Sequence, residues 1–119
     1  MLFFINNATW QIQELESEEL QKLYEEERKE KAYFVFGVTK YSQHIIYINK
    51  DMCMDQKVST LKHELTHCYI WSYGLYNVTD INEEIICDIV ANSIDFINEV
   101  VKQYRSKAMK QFIEGGVND

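Results

Sequence analysis

The chain has 119 residues, 46% hydrophobic and 26% charged, with a formal net charge of −7 and an isoelectric point near 4.9. A chain of this length fills one core and cannot support two, so a single domain over 1–119 is expected, and 2 Trp, 8 Tyr and 6 Phe to fill that core argue against intrinsic disorder. The acidic balance argues against direct contact with nucleic acid, because generic binding to a phosphate backbone needs a basic patch.

The longest apolar runs, Leu2-Phe3-Phe4-Ile5 and Ile45-Ile46-Tyr47-Ile48, are strand-sized and far short of the roughly 20 residues that span a bilayer. No membrane span is expected, and the first residues show no basic start followed by a long apolar stretch, so the expected location is cytoplasmic. Cys53, Cys68 and Cys87 are an odd set without CxxC spacing, which predicts reduced thiols and neither a disulfide framework nor a cysteine-rich zinc site.

In chain order, two short apolar runs flank Asn6-Asn7 between Leu2 and Leu15 and suggest a hairpin, or a strand preceded by an ordered arm. Ser17 precedes Glu18 and Glu19 as a helix cap precedes acidic first-turn residues, and Leu20, Leu23 and Tyr24 form an apolar stripe, predicting a helix from about 18 to 31. Its charged run from Glu25 to Lys31 reads as a solvated face. Tyr33 to Thr39 and His44 to Asn49 are rich in β-branched and aromatic residues and read as two antiparallel strands joined by Lys40-Tyr41-Ser42-Gln43.

A helix capped by Asp55 then carries Val58, Leu61, Leu65, Cys68 and Tyr69 inward and ends near Gly74. A second long helix follows, capped by Asp80 with Glu83 three residues on, its apolar pattern running from Ile81 through Ile85, Ile89, Phe96, Ile97 and Val100 to Tyr104. The short connection predicts antiparallel packing of the pair. The expected fold class is α+β, a small antiparallel sheet on this helix pair with an additional N-terminal helix.

The chemistry is concentrated in His63-Glu64-Leu65-Thr66-His67, an HExxH sequence within the first long helix. Residues four apart share a helical face, so both imidazoles can grip one ion, while Glu64 is rotated beside them as candidate general base. Shuffling 3 His and 13 Glu through the chain produces this pattern in about 0.01 trials, so coincidence is a poor explanation; the bland alternative is two surface histidines around an ordinary helix residue. Catalytic zinc needs a third protein ligand and an open position for water. Glu84, with Asp88 one turn on to accept a hydrogen bond from a ligating histidine, is the preferred ligand. Glu83 is the competing ligand, with a capping task that explains it otherwise.

Asp88 lies in an apolar stretch, Ile85-Ile86-Cys87 before it and Ile89-Val90-Ala91 after it, and a carboxylate buried there needs a partner. Cys68 and Cys87 are out of helical phase with the neighbouring ligands and read as core residues; a closed structural zinc site would require one of them to ligate. Tyr69, Tyr73, Tyr76 and His44 are candidates to stabilise an oxyanion, and spacing singles out none of them.

These motifs resemble the small metallopeptidase-like proteins of the ImmA/IrrE family, especially short forms from phages and mobile elements of Gram-positive bacteria. The pieces that carry the resemblance are Phe36-Gly37-Val38-Thr39, His44-Ile45-Ile46-Tyr47-Ile48, Leu61-Lys62-His63-Glu64-Leu65-Thr66-His67 and Glu83-Glu84-Ile85-Ile86-Cys87-Asp88-Ile89-Val90-Ala91. The spacing of Glu84 and Asp88 is also similar to that of thermolysin-like gluzincins, which implies Zn²⁺ on His63, His67 and Glu84, with Asp88 orienting a histidine. The resemblance implies peptide-bond hydrolysis, with a protein or peptide substrate such as a DNA-binding regulator. The chain departs from larger relatives in showing no recognisable second domain, which keeps a second expectation open: a zincin-fold binding module or mobile-element regulator that does not cut.

Overall fold

A computed structural model describes residues 1–77 and 81–116. Strands β1 (Leu2–Ile5) and β2 (Ala8–Leu15) form a hairpin whose two turn residues, Asn6 and Asn7, both have positive φ, 46° and 64°. Asparagine tolerates this left-handed conformation, and the turn it makes matches the natural twist of a hairpin. Helix α1 (Ser17–Arg28), strand β3 (Gly37–Lys40), a 3₁₀ turn (Tyr41–Gln43), strand β4 (Ile45–Asn49), the long helix α2 (Met54–Ser72), a second 3₁₀ turn (Leu75–Asn77) and the long helix α3 (Glu83–Gly116) complete the order.

The α+β class holds, but the sheet is mixed where an antiparallel one was expected. Its order is β1-β2-β4-β3, with β2 parallel to β4 and the other two pairings antiparallel. The parallel pair arises because α1 and β3 lie between β2 and β4 in sequence, a connection long enough for a crossover. β3 is left as an edge strand.

Alternation along the strands sorts two apolar clusters. Trp10, Ile12, Ile46 and Ile48 face α2 and α3, meeting Leu61, Leu65 and Val100; Val38 and Tyr47 point the other way and pack with Leu20 of α1. The helix pair is antiparallel as expected. Glu14 of β2 accepts from Lys57 at the start of α2 (2.7 Å) and from Tyr104 well along α3 (3.1 Å), while Tyr69 and Tyr73 near the end of α2 share a groove with Ile85 and Ile89 at the start of α3.

Several local expectations are corrected. The cap position of α1 is Glu16, without a side-chain cap bond, and Ser17 is the first helical residue. Its backbone N–H and hydroxyl both donate to the Asp51 carboxylate, at 3.0 and 2.8 Å, so the capping acceptor comes from a distant loop; these bonds hold the Asp51 carboxyl below its ordinary range. The helix stops at Arg28 because Lys29 turns left-handed and donates back to Glu25.

Tyr33 to Phe36 is irregular, not strand. Its neighbourhood's carbonyls are taken by side chains: the Asn49 amide donates to Val35 O (2.8 Å) and Gln21 to Ala32 O (2.9 Å). Asp55 lies in the first turn of α2, whose cap position is Cys53. Asp80, the expected cap of α3, lies outside the described residues; Asn82 supplies a cap, its side-chain oxygen accepting from Ile85 N at 3.0 Å. Glu83 is thus the first helical residue, and the capping task expected of it falls to Asn82.

Candidate functional site

The HExxH sequence lies in the interior of α2, where the helical repeat sets His63 and His67 one turn apart. Both are exposed, their ring centroids 4.8 Å apart. Glu64 turns to the buried side, 7% exposed, and faces edge strand β3. The Thr39 hydroxyl donates to its carboxylate at 2.5 Å. Gly37 and Thr39 share this face of β3, and the missing side chain at Gly37 permits the approach: a Cβ there would stand 2.8 Å from Thr60 Cγ2 and 3.3 Å from Glu64 Cγ.

A cleft of about 420 Å³ opens beside the pair His63 and Glu64, between α2 and the 32–37 segment, with Tyr24, Phe34 and Phe36 among its walls. Tyr41, in the turn after β3, is also electrostatically close to Glu64: burial, followed by the Glu64 charge, pushes its phenol above the ordinary value, with Arg28 opposing. Its ring stacks on Trp71 with centroids 5.7 Å apart. Thr39, Gly37 and Tyr41 carried no functional signal in the sequence, because what distinguishes them is proximity to, or the electrostatic influence of, a residue 23 to 27 positions away.

The other predicted residues are placed differently. Glu84 is exposed in the first turn of α3. Among the described residues no three His, Cys, Asp or Glu side chains come together as an ion site, so Glu84 is not gathered with the imidazole pair. Asp88 is exposed, not buried; it lines the groove with Tyr69 and Tyr73, and its backbone carbonyl accepts from Asn92 at 2.8 Å. The expectation that it needs a buried partner falls with its exposure.

Cys68 is buried in the core, as expected, and burial pushes its thiol up to about 12; Cys87 is exposed, against the expectation of core packing. His44 lies flat on Trp10, with centroids 4.6 Å apart and planes at 5°, and edge-on to Trp71, which gives it a packing role. The rings of Tyr69 and Tyr73 meet at a tilt of 49° with centroids 4.8 Å apart, and the side chain of Tyr76 lies outside the described residues.

The donor chemistry thus fits a divalent ion through two imidazoles of one helix, while among the described residues the third protein ligand that catalytic zinc requires is not gathered with them. Comparison with models of known families, with curated proteins and with solved structures finds no match for this chain. No helix among the described residues is long and apolar enough to cross a membrane.

Proposed function

We propose that the chain is a zinc-dependent metallopeptidase of the ImmA/IrrE type, with His63, His67 and Glu84 as metal ligands, Asp88 orienting a ligating histidine and Glu64 as general base. The observation that carries this reading is the joint placement of His63 and Glu64 on one cleft along the edge of the sheet, with the second imidazole one turn away. Bound zinc would supply a Lewis acid and a water acidified toward neutral pH.

The chain's own residues define the rest. Glu64, fixed by Thr39 and walled by Gly37, takes the proton of the attacking water and returns it to the leaving amine. An edge strand beside the cleft offers unpaired backbone groups to an extended peptide. The substrate class is a protein or peptide, a DNA-binding regulator being the kind the resemblance suggests.

The test is metal analysis combined with peptide-library cleavage. Glu64→Gln should keep zinc at the native stoichiometry and lose hydrolysis, whereas Glu84→Ala should lose zinc. Full hydrolysis by Glu64→Gln refutes the mechanism, and undiminished zinc binding by Glu84→Ala refutes the ligand assignment. A second reading is favoured by one observation, the exposure of Glu84 in the first turn of α3: a zincin-fold binding module that acts by occupying a regulator without cutting it. Capture of the same uncleaved partner by the native chain and by Glu64→Gln, with equal strength, decides for that reading.

A further inference from the structure

We infer that α3 is a self-association surface, through which two copies of this chain pair antiparallel. The helix has 34 residues, about 51 Å at 1.5 Å per residue, against a longest molecular dimension of 53 Å. It is anchored on the core by Val100, Val101 and Tyr104. Beyond Tyr104 one side still borders Met1 and Ile12 through Lys107, Ala108 and Gln111, while on the outer side Met109, Phe112 and Ile113 are 60, 75 and 58% exposed. A few terminal turns do not sustain helix in water by propensity alone, and three exposed apolar side chains there mark a face that lacks its partner.

The other half of the helix has a matching face. Ile86, Val90 and Ile94, four apart and so on one side, are 52, 54 and 48% exposed. Ile94 and Phe112 are 18 residues apart, five whole turns, so the two apolar patches share one line along the helix.

Charge selects the occupant. Residues 83–99 hold five acids, Glu83, Glu84, Asp88, Asp95 and Glu99, and no base; residues 102–114 hold four bases, Lys102, Arg105, Lys107 and Lys110, and one acid, Glu114. The halves therefore carry −5 and 4 − 1 = +3. Complementarity with the helix dipole accounts for charge in the first and last turns only, since that effect fades within a turn. A partner for this surface must bring apolar groups set in basic charge to one end and in acidic charge to the other. A second α3 running the opposite way does both at once, and a parallel one sets acid on acid.

Sedimentation of the full chain across micromolar to high micromolar concentration tests this. The mass should rise from 14.2 kDa toward twice that value, and the association should weaken as salt is added. Val90→Glu and Phe112→Glu alter exposed positions, so circular dichroism should stay native while each weakens the dimer at least ~10-fold. Lys107→Glu/Lys110→Glu turns the +3 half into −1 against −5 and should be monomeric alone, and it should pair when mixed with Asp88→Lys/Asp95→Lys, whose +3 half still meets its −5 half. A native chain that is monomeric throughout, or a dimer indifferent to both glutamate variants, overturns the inference. A dimer that tightens with salt overturns the antiparallel arrangement. None of these readouts depends on metal or on hydrolysis.

Discussion

Replacing Gly37 by alanine tests whether close approach of β3 to α2 sets the position of Glu64. The new methyl would meet Thr60 Cγ2 at 2.8 Å, the Tyr47 carbonyl oxygen at 3.0 Å and Glu64 Cγ at 3.3 Å. Ordinary carbon contacts lie at about 3.5 Å or more, so the closest contact is short by roughly 0.7 Å. The Tyr47 carbonyl belongs to the backbone of β4 and cannot swing aside to let the methyl turn from α2, so the contact with Thr60 is relieved by widening the gap between β3 and α2. Overpacking of this kind costs about 1–3 kcal/mol, while reduced freedom of the unfolded chain returns about 0.5–1 kcal/mol. The expected net loss is about 1–2 kcal/mol, a drop in Tm of roughly 3–10 °C for a domain of this size. Urea unfolding followed by circular dichroism and tryptophan fluorescence measures it. Thr60→Ser removes the nearest atom, so in that background Gly37→Ala should cost at least ~0.5 kcal/mol less. Native stability in Gly37→Ala, or strict additivity with Thr60→Ser, refutes the packing argument.

Thr39→Val keeps the side-chain shape and removes the donor to the buried Glu64 carboxylate; since hydrogen bonds to charged groups contribute about 1.5–3 kcal/mol, stability should fall by about 2 kcal/mol, with Thr39→Ser retaining most of it. Equal losses in the two variants would assign the effect to packing. The Cys68 thiol, raised from 9.0 to about 12 by burial, should resist alkylation at mildly alkaline pH while exposed Cys53 and Cys87 react, so intact-mass analysis should show two adducts and a third only after unfolding. Because the folded-state value lies above the unfolded one, the stability linked to this group is complete below about pH 9 and is lost as pH rises toward 12; the adduct count and the alkaline limb of a stability profile should change together.

The resemblance between the sequence and the folded chain is strongest where periodicity is strong. Leu61, Leu65 and Cys68 on α2, and Val100 and Tyr104 on α3, are buried as their spacing predicts, and the Asn6-Asn7 hairpin follows from the turn chemistry of asparagine. Tyr33 to Phe36 has the composition of a strand, yet Asn49 and Gln21, from elsewhere in the chain, claim carbonyls a ladder would use. Asp88 sits among apolar neighbours in sequence, but a helix scatters consecutive residues over all its faces, and its own face meets water.

By itself the sequence determined the long helices with their apolar faces, the first hairpin, and the presence of two imidazoles with a carboxylate on one stretch of helix, since all of these depend on spacing within a few turns. Tertiary structure alone decided that β2 runs parallel to β4, that Glu64 is buried under Thr39 and Gly37, and that Glu84 and Asp88 are exposed on α3. A periodic pattern states which side of an element avoids water; which residues cover that side depends on contacts between positions far apart in the chain, and those are settled only when the elements pack.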